Sequence, residues 1–135
     1  MRRIKSPVSV LALAEALVLV LLGSYCYFLL LFIINILAFW LDVIWSFLIM
    51  SRFIVGFVSG QLIPIAMMPS FLQDSFKWLF PYWTLCAPIE ILTGRQHHAD
   101  FLFGIGVLVG TATLLQLIAS VAWRRGLARY TGAGM

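Results

Sequence analysis

Charge is what this chain has least of. Nine Lys/Arg and five Asp/Glu amount to 10% of 135 residues, against about 25% in an ordinary soluble domain. So few charges cannot cover a water-facing surface, and the mean hydropathy of +1.05 agrees. Cysteine is scarce as well. Cys26 and Cys86 are the only two, too few for a disulfide scaffold, and both sit in apolar surroundings as buried thiols. Spacing signatures of catalysis are missing: no G-x-x-x-x-G-K-[ST], H-E-x-x-H, G-x-S-x-G or C-x-x-C occurs, so P-loop nucleotide hydrolysis by this chain is excluded. What is present in excess is apolar sequence, 63% of positions, which excludes disorder. Most of the bases lie at the two chain ends, a pattern of membrane topology rather than of a nucleic-acid site. The composition is that of an all-α integral membrane protein folded as a single domain over 1–135, with no catalytic residue, cofactor, metal or nucleic-acid partner expected.

Three charge-free runs are long enough to span. They are Ala16 to Leu41 (26 residues), Phe53 to Gln73 (21) and Phe101 to Trp123 (23), where roughly 20 suffice for a helix. None alternates as a β-barrel strand would. The first run extends back to a helix start at Ser6-Pro7, giving a span of about 8–40 that is too long for one upright crossing. Tilt, a kink near Gly23-Ser24 or a projecting end is expected. Asn35, inside this run, is a candidate hydrogen-bond partner for a neighbouring helix.

The second run is irregular. Its span is read as 45–63, after which Pro64 and Pro69 interrupt the helix. Broken backbone in hydrocarbon needs cover from protein or a water-filled cavity, so a re-entrant or interfacial stretch over about 64–94 follows. Within it Phe71 to Phe80 reads as an amphipathic interfacial helix: Phe71, Leu72, Phe76, Leu79 and Phe80 share one face, while Gln73, Asp74 and Lys77 share the other. Pro81 and Pro88 break it again before a turn at Thr93-Gly94-Arg95. The third span, 101–123, ends in Trp123-Arg124-Arg125, a cytoplasmic boundary by the positive-inside rule.

Charged and small residues give weaker signals. Asp42 and Arg52 are placed where the chain turns between spans, and Glu15 and Glu90 at interfaces. His97, His98 and Asp100 form the one ligand-like cluster, but adjacent histidines diverge and no further ligand completes a site; a solvated loop is the reading. Gly56 to Gly60 and Gly106 to Gly110 are G-x-x-x-G pairs, so Gly56, Gly106 and Gly110 are helix-packing candidates. Three spans put the basic ends on opposite sides, with five bases against four, and charge alone does not orient the chain.

The order of features resembles the permease subunits of ABC-2-type ABC transporters, in the branch of ABC transport system permeases. Three stretches carry it: Phe39-Trp40 closing a long helix before Asp42; Ser59-Gly60-Gln61-Leu62-Ile63-Pro64, Met68-Pro69-Ser70-Phe71-Leu72, Leu79-Phe80-Pro81-Tyr82 and Ala87-Pro88 to Thr93-Gly94; and the basic run from Trp123 to Gly134. The resemblance implies the last three spans of a six-span subunit, with the outer break shaped by Gly60, Pro64 and Pro69 and its following helices bounded by Pro81, Pro88 and Gly94. It also implies a bacterial inner-membrane exporter component with a cytoplasmic C-terminus, a separate ATPase subunit, a second permease subunit and membrane lipid as partners. The alternative is a truncated or small membrane protein that assembles or regulates and transports nothing.

Overall fold

A computed structural model describes residues 9–95 and 98–131. Among them the secondary structure is entirely helical. Helix α1 runs unbroken over Val10–Ile36 and passes into a 3₁₀ turn at Leu37–Phe39. Helix α2 covers Trp45–Val58, a 3₁₀ turn covers Ile65–Met67, and α3 covers Ser70–Phe76. A π-helical turn at Tyr82–Cys86 leads into α4, Ala87–Leu92, and α5 closes the chain over His98–Thr131.

Two helical stretches, Val10–Phe39 and Ala99–Arg129, have the length and apolarity to cross a membrane. Only 22% and 11% of their most apolar windows is buried inside the molecule, so neither is the core helix of a water-soluble protein. Large apolar side chains such as Leu21, Phe28, Leu102 and Leu117 face outward. In water that surface would be an aggregation hazard; in lipid it is the normal solvent contact. Helix α2 has 14 residues, about 21 Å, and does not reach the span length read from the sequence.

The boundaries differ from the sequence reading for identifiable reasons. The described start of α1 is capped by Ser9, whose side chain accepts from the Ala12 amide at 3.1 Å; Ser6 and Pro7 lie outside the described residues. No break occurs at Gly23-Ser24, because Gly23 serves close packing instead. Asn35 donates to the Leu31 carbonyl in its own helix at 2.7 Å, not to a neighbour. Helix α2 stops at Val58 rather than near Ile63, and α3 ends at Phe76 rather than at Phe80. At the far end α5 carries Arg124, Arg125 and Arg129 as part of the helix, where a tail is expected from sequence.

The core is a seam between α1 and α5, closed on one side by the π turn and α4. Buried positions Ala16, Leu19, Gly23, Cys26, Leu29 and Ile36 fall on one face of α1, at the three- and four-residue spacing of helix packing. Opposite them Leu108 and Ala119 are buried on α5. Without a hydrophobic drive in lipid, such seams depend on close approach and interhelical hydrogen bonds, and both are here. A Cβ on Gly23 would come within 2.9 Å of the Thr84 Cα, and one on Gly104 would collide with the Trp83 ring. Cys26 donates to the Leu108 carbonyl at 3.4 Å and Tyr25 to Gln116 Oε1 at 2.9 Å. At the far end Phe39 packs edge-on to Trp123, ring centroids 6.0 Å apart.

Candidate functional site

The interrupted stretch between α2 and α5 is built from backbone chemistry rather than from reactive side chains. Helix α2 ends in a Schellman motif: Gly60, with φ +77°, lets its own amide reach Phe57 O at 3.2 Å while the Gln61 amide reaches Gly56 O at 3.0 Å. The left-handed conformation needed at that position is glycine's. Helix α4 ends in the same way, with Gly94 at φ +70°, its amide on Ile91 O at 3.0 Å and the Arg95 amide on Glu90 O at 2.8 Å. Two of the carbonyls left over at each of these helix ends thus have a backbone donor, where hydrocarbon makes an unmet carbonyl costly.

Proline divides what lies between. Pro64 (ψ 128°) and Pro69 (ψ 148°) are extended and stand just before the 3₁₀ turn and before α3. Their carbonyls accept from Met67 (3.0 Å) and from Leu72 and Gln73 (3.0 and 3.2 Å). Met68, preceding Pro69, is extended at φ −87°, ψ 153°, as proline requires of its neighbour. Pro81 and Pro88 behave otherwise. Both lie inside a helical run, Pro81 as the residue leading into the π turn and Pro88 in the first turn of α4, and both are buried. Pro88 therefore does not break the helix, contrary to the sequence reading. The wider π turn just before it supplies the irregular hydrogen bonding that a proline without an N–H needs.

Trp83 locks this stretch to the long helices. It is 1% exposed, lies on Gly104, donates its indole N–H to the Lys77 carbonyl at 2.7 Å and meets Tyr82 and Phe103 edge-on at 5.2 and 5.9 Å. Tyr82 in turn donates to Glu90 Oε2 at 2.8 Å, and the Cys86 thiol to Glu90 Oε1 at 3.7 Å. Burial, then the nearby Glu90 charge and the hydrogen bond to it, push the Cys86 thiol up to about 12. The cysteines are free. Beside Glu90 a pocket of about 300 Å³ collects Lys77, Gln73, Arg95 and Asp100, a mixed-sign surface. His97 lies outside the described residues, and His98 opens α5. Among the described residues no three His, Cys, Asp or Glu side chains gather as metal ligands.

A second cavity, of about 360 Å³, opens between α1, α2 and the π turn. Arg52, Tyr27, Ser24 and Gln61 supply its polar lining, and Val55, Phe80 and Leu85 its apolar walls. The sequence reading put Arg52 at a turn between spans; it sits in the middle of α2, and Asp42 alone keeps the turn. The packing candidates divide. A Cβ on Gly56 would meet Leu62 and Gln61 at ordinary contact distance, whereas Gly106 and Gly110 have nothing within 4 Å and line a shallow apolar groove with Trp78 and Phe103.

Two long lipid-facing helices holding a Gly/Pro-interrupted stretch match a known pattern across the chain: the profile of the ABC-2 family transporter protein family covers residues 4–134. The chain belongs to that family. No curated protein and no solved structure matches it. Membership makes this ABC-2 chain a membrane permease of the ABC transporter class. Gly60, Pro64, Pro69 and Gly94 were legible as punctuation. Arg52, Trp83 and the Tyr82–Glu90 pair were not singled out as a site; the one signal for Arg52 was a guanidinium amid apolar sequence.

Proposed function

We propose that this ABC-2 permease forms part of the substrate pathway of an exporter in the bacterial inner membrane. A separate ATPase subunit binds and hydrolyses ATP on the cytoplasmic side, and a second permease subunit completes the pathway. In this reading the chain does no chemistry of its own. The family match over 4–134 carries it. Helix α2 with the residues up to about 63 makes the third crossing, and the likeness to ABC-2 permeases, rather than the balance of charge, puts the C-terminal end of α5, with Arg124, Arg125 and Arg129, in the cytoplasm. Gly60, Pro64 and Pro69 shape the outer gate. Pro81, Pro88 and Gly94 fix the helical run behind it, and Gly106 and Gly110 form the groove that receives a helix of the second permease.

Irregular backbone at membrane depth is tolerated where it lines a cavity or lies against protein, and a gate needs such backbone. The test is co-purification of the tagged chain from native membranes in mild detergent, with mass spectrometry of its companions. A P-loop ATPase and a second permease are the expected companions. Recovery of the chain alone, at a yield that preserves other complexes of the same membrane, would overturn the proposal in favour of a membrane subunit that transports nothing. Within a recovered assembly, Pro64→Leu with Pro69→Leu is expected to abolish most permease-coupled ATPase stimulation while membrane insertion stays intact.

A further inference from the structure

The cavity between α1, α2 and the π turn has a one-sided chemistry. Arg52 brings a permanent positive charge and five N–H donors. Among the described residues no carboxylate lines this cavity, and Arg52 makes no ion pair or hydrogen bond. Tyr27, Ser24 and Gln61 add donors that, among the described residues, are likewise uncommitted. The hydroxyls of Ser59 and Thr84, also on its wall, already donate to the Gly56 and Phe80 carbonyls at 3.3 and 3.0 Å. A cationic fork with spare donors and no acid is built to receive an oxyanion. The remaining wall, Val55, Phe80 and Leu85, is apolar and would exclude a small hydrated anion.

We propose that this cavity binds an amphiphilic phosphate, with the phosphate against Arg52, Tyr27 and Ser24 and the chain along Val55 and Leu85. The proposal rests on the reading above that the chain forms part of a permease's substrate pathway, but binding itself needs neither the ATPase nor a second permease. A charged guanidinium in the middle of a helix otherwise exposed to lipid is costly when left unpaired. A bound phosphodiester removes that cost. The cavity thereby gives the permease a way to hold an anionic lipid or lipid-like cargo by its head.

The test uses the full chain, delipidated in detergent and examined by native mass spectrometry with phosphatidylglycerol, diacylglycerol of the same chains or inorganic phosphate added. Retention of phosphatidylglycerol about tenfold above diacylglycerol, which lacks the phosphate, is expected, since a hydrogen bond to a charged group is worth about that factor or more. Arg52→Gln should lower it roughly tenfold and Arg52→Lys less. Tyr27→Phe, which removes one hydroxyl and leaves the fold alone, should lower it about two- to fivefold. Equal retention of the two lipids would overturn the proposal. So would undiminished retention by Arg52→Gln or, should that variant fail to fold, by Tyr27→Phe. Displacement of phosphatidylglycerol by millimolar inorganic phosphate would overturn the amphiphile in favour of the free anion. Because the chain is assayed alone, selective retention survives a failed co-purification, and a recovered ATPase complex survives unselective retention.

Discussion

Along α1 and α5 the chain is unbroken for 27 and 34 residues and buries one narrow face. Between residues 59 and 94 the helical pieces are short and irregular, the longest being the π turn that runs into α4, yet Tyr82, Trp83 and Ala87 are among the most buried positions of the molecule. Both regions are strongly apolar; what differs is where the backbone hydrogen bonds go. In the long helices each is satisfied inside the element. In the interrupted stretch they are satisfied by glycine caps, proline carbonyls and a π turn, so the region is held by its contacts instead of by its own ladder. Irregular backbone in a membrane protein thus needs more burial per residue than regular backbone does, and Trp83 supplies much of it.

That contrast can be broken by experiment. Trp83→Ala removes the largest fully buried side chain and should cost about 3–5 kcal/mol, read as loss of thermal stability in detergent. Leu114→Ala, at a lipid-facing site 58% exposed, should cost far less. Equal losses would mean that Trp83 is not the lock described. Next in size, Gly23→Leu and Gly104→Leu force side chains into Thr84 and Trp83 and should destabilise by roughly 1–3 kcal/mol. Gly106→Leu, facing open space, should leave the isolated chain unchanged.

A finer distinction separates the two caps. Gly60→Ala and Gly94→Ala both put a Cβ on left-handed backbone, at about 1–2 kcal/mol. At Gly60 the new atom also meets Ile65 Cγ1 at 3.0 Å, while at Gly94 it meets nothing. Gly60→Ala should therefore be the worse of the pair by thermal unfolding, and the reverse order would contradict the packing of the 3₁₀ turn against α2.

The smallest effect is a proton. With the Cys86 thiol at about 12 in the fold and an ordinary value of 9.0, unfolding releases a proton between those values, so stability falls as pH rises through that window and is unaffected below it. Cys86 should resist maleimide at pH 8 in the folded chain. Glu90→Gln should raise its labelling rate several-fold by removing the neighbouring charge, whereas an unchanged rate would assign the shift to burial alone.

The helical class and the positions of the long helices were legible because an apolar run longer than a bilayer leaves few alternatives. Gly60, Pro64, Pro69 and Gly94 were legible because their effect is intrinsic to their own backbone. Pro88 was misread because its tolerance depends on the π turn before it, which no local signal in Tyr82–Cys86 announces. Arg52 reads as a turn residue because the charge-free run begins just after it, whereas the helix itself begins at Trp45. The seam itself was out of reach: that Gly104 meets Trp83 and Gly23 meets Thr84 is set by pairings across twenty to sixty residues, and sequence spacing carries no record of them.

Helix α5, at 34 residues, measures about 51 Å, some 20 Å more than the hydrocarbon it crosses. A rod that long is a lever. Rocking it by about 10° about one end would carry the other through roughly 9 Å, several times the displacement of any single side chain along it. Phe39 fills the notch left by Gly126 near the end of that rod, so the terminus of α1 would travel with it. A pull on the arginine-bearing end would thereby reach the interrupted stretch as one stroke of a paired arm, amplified by length alone.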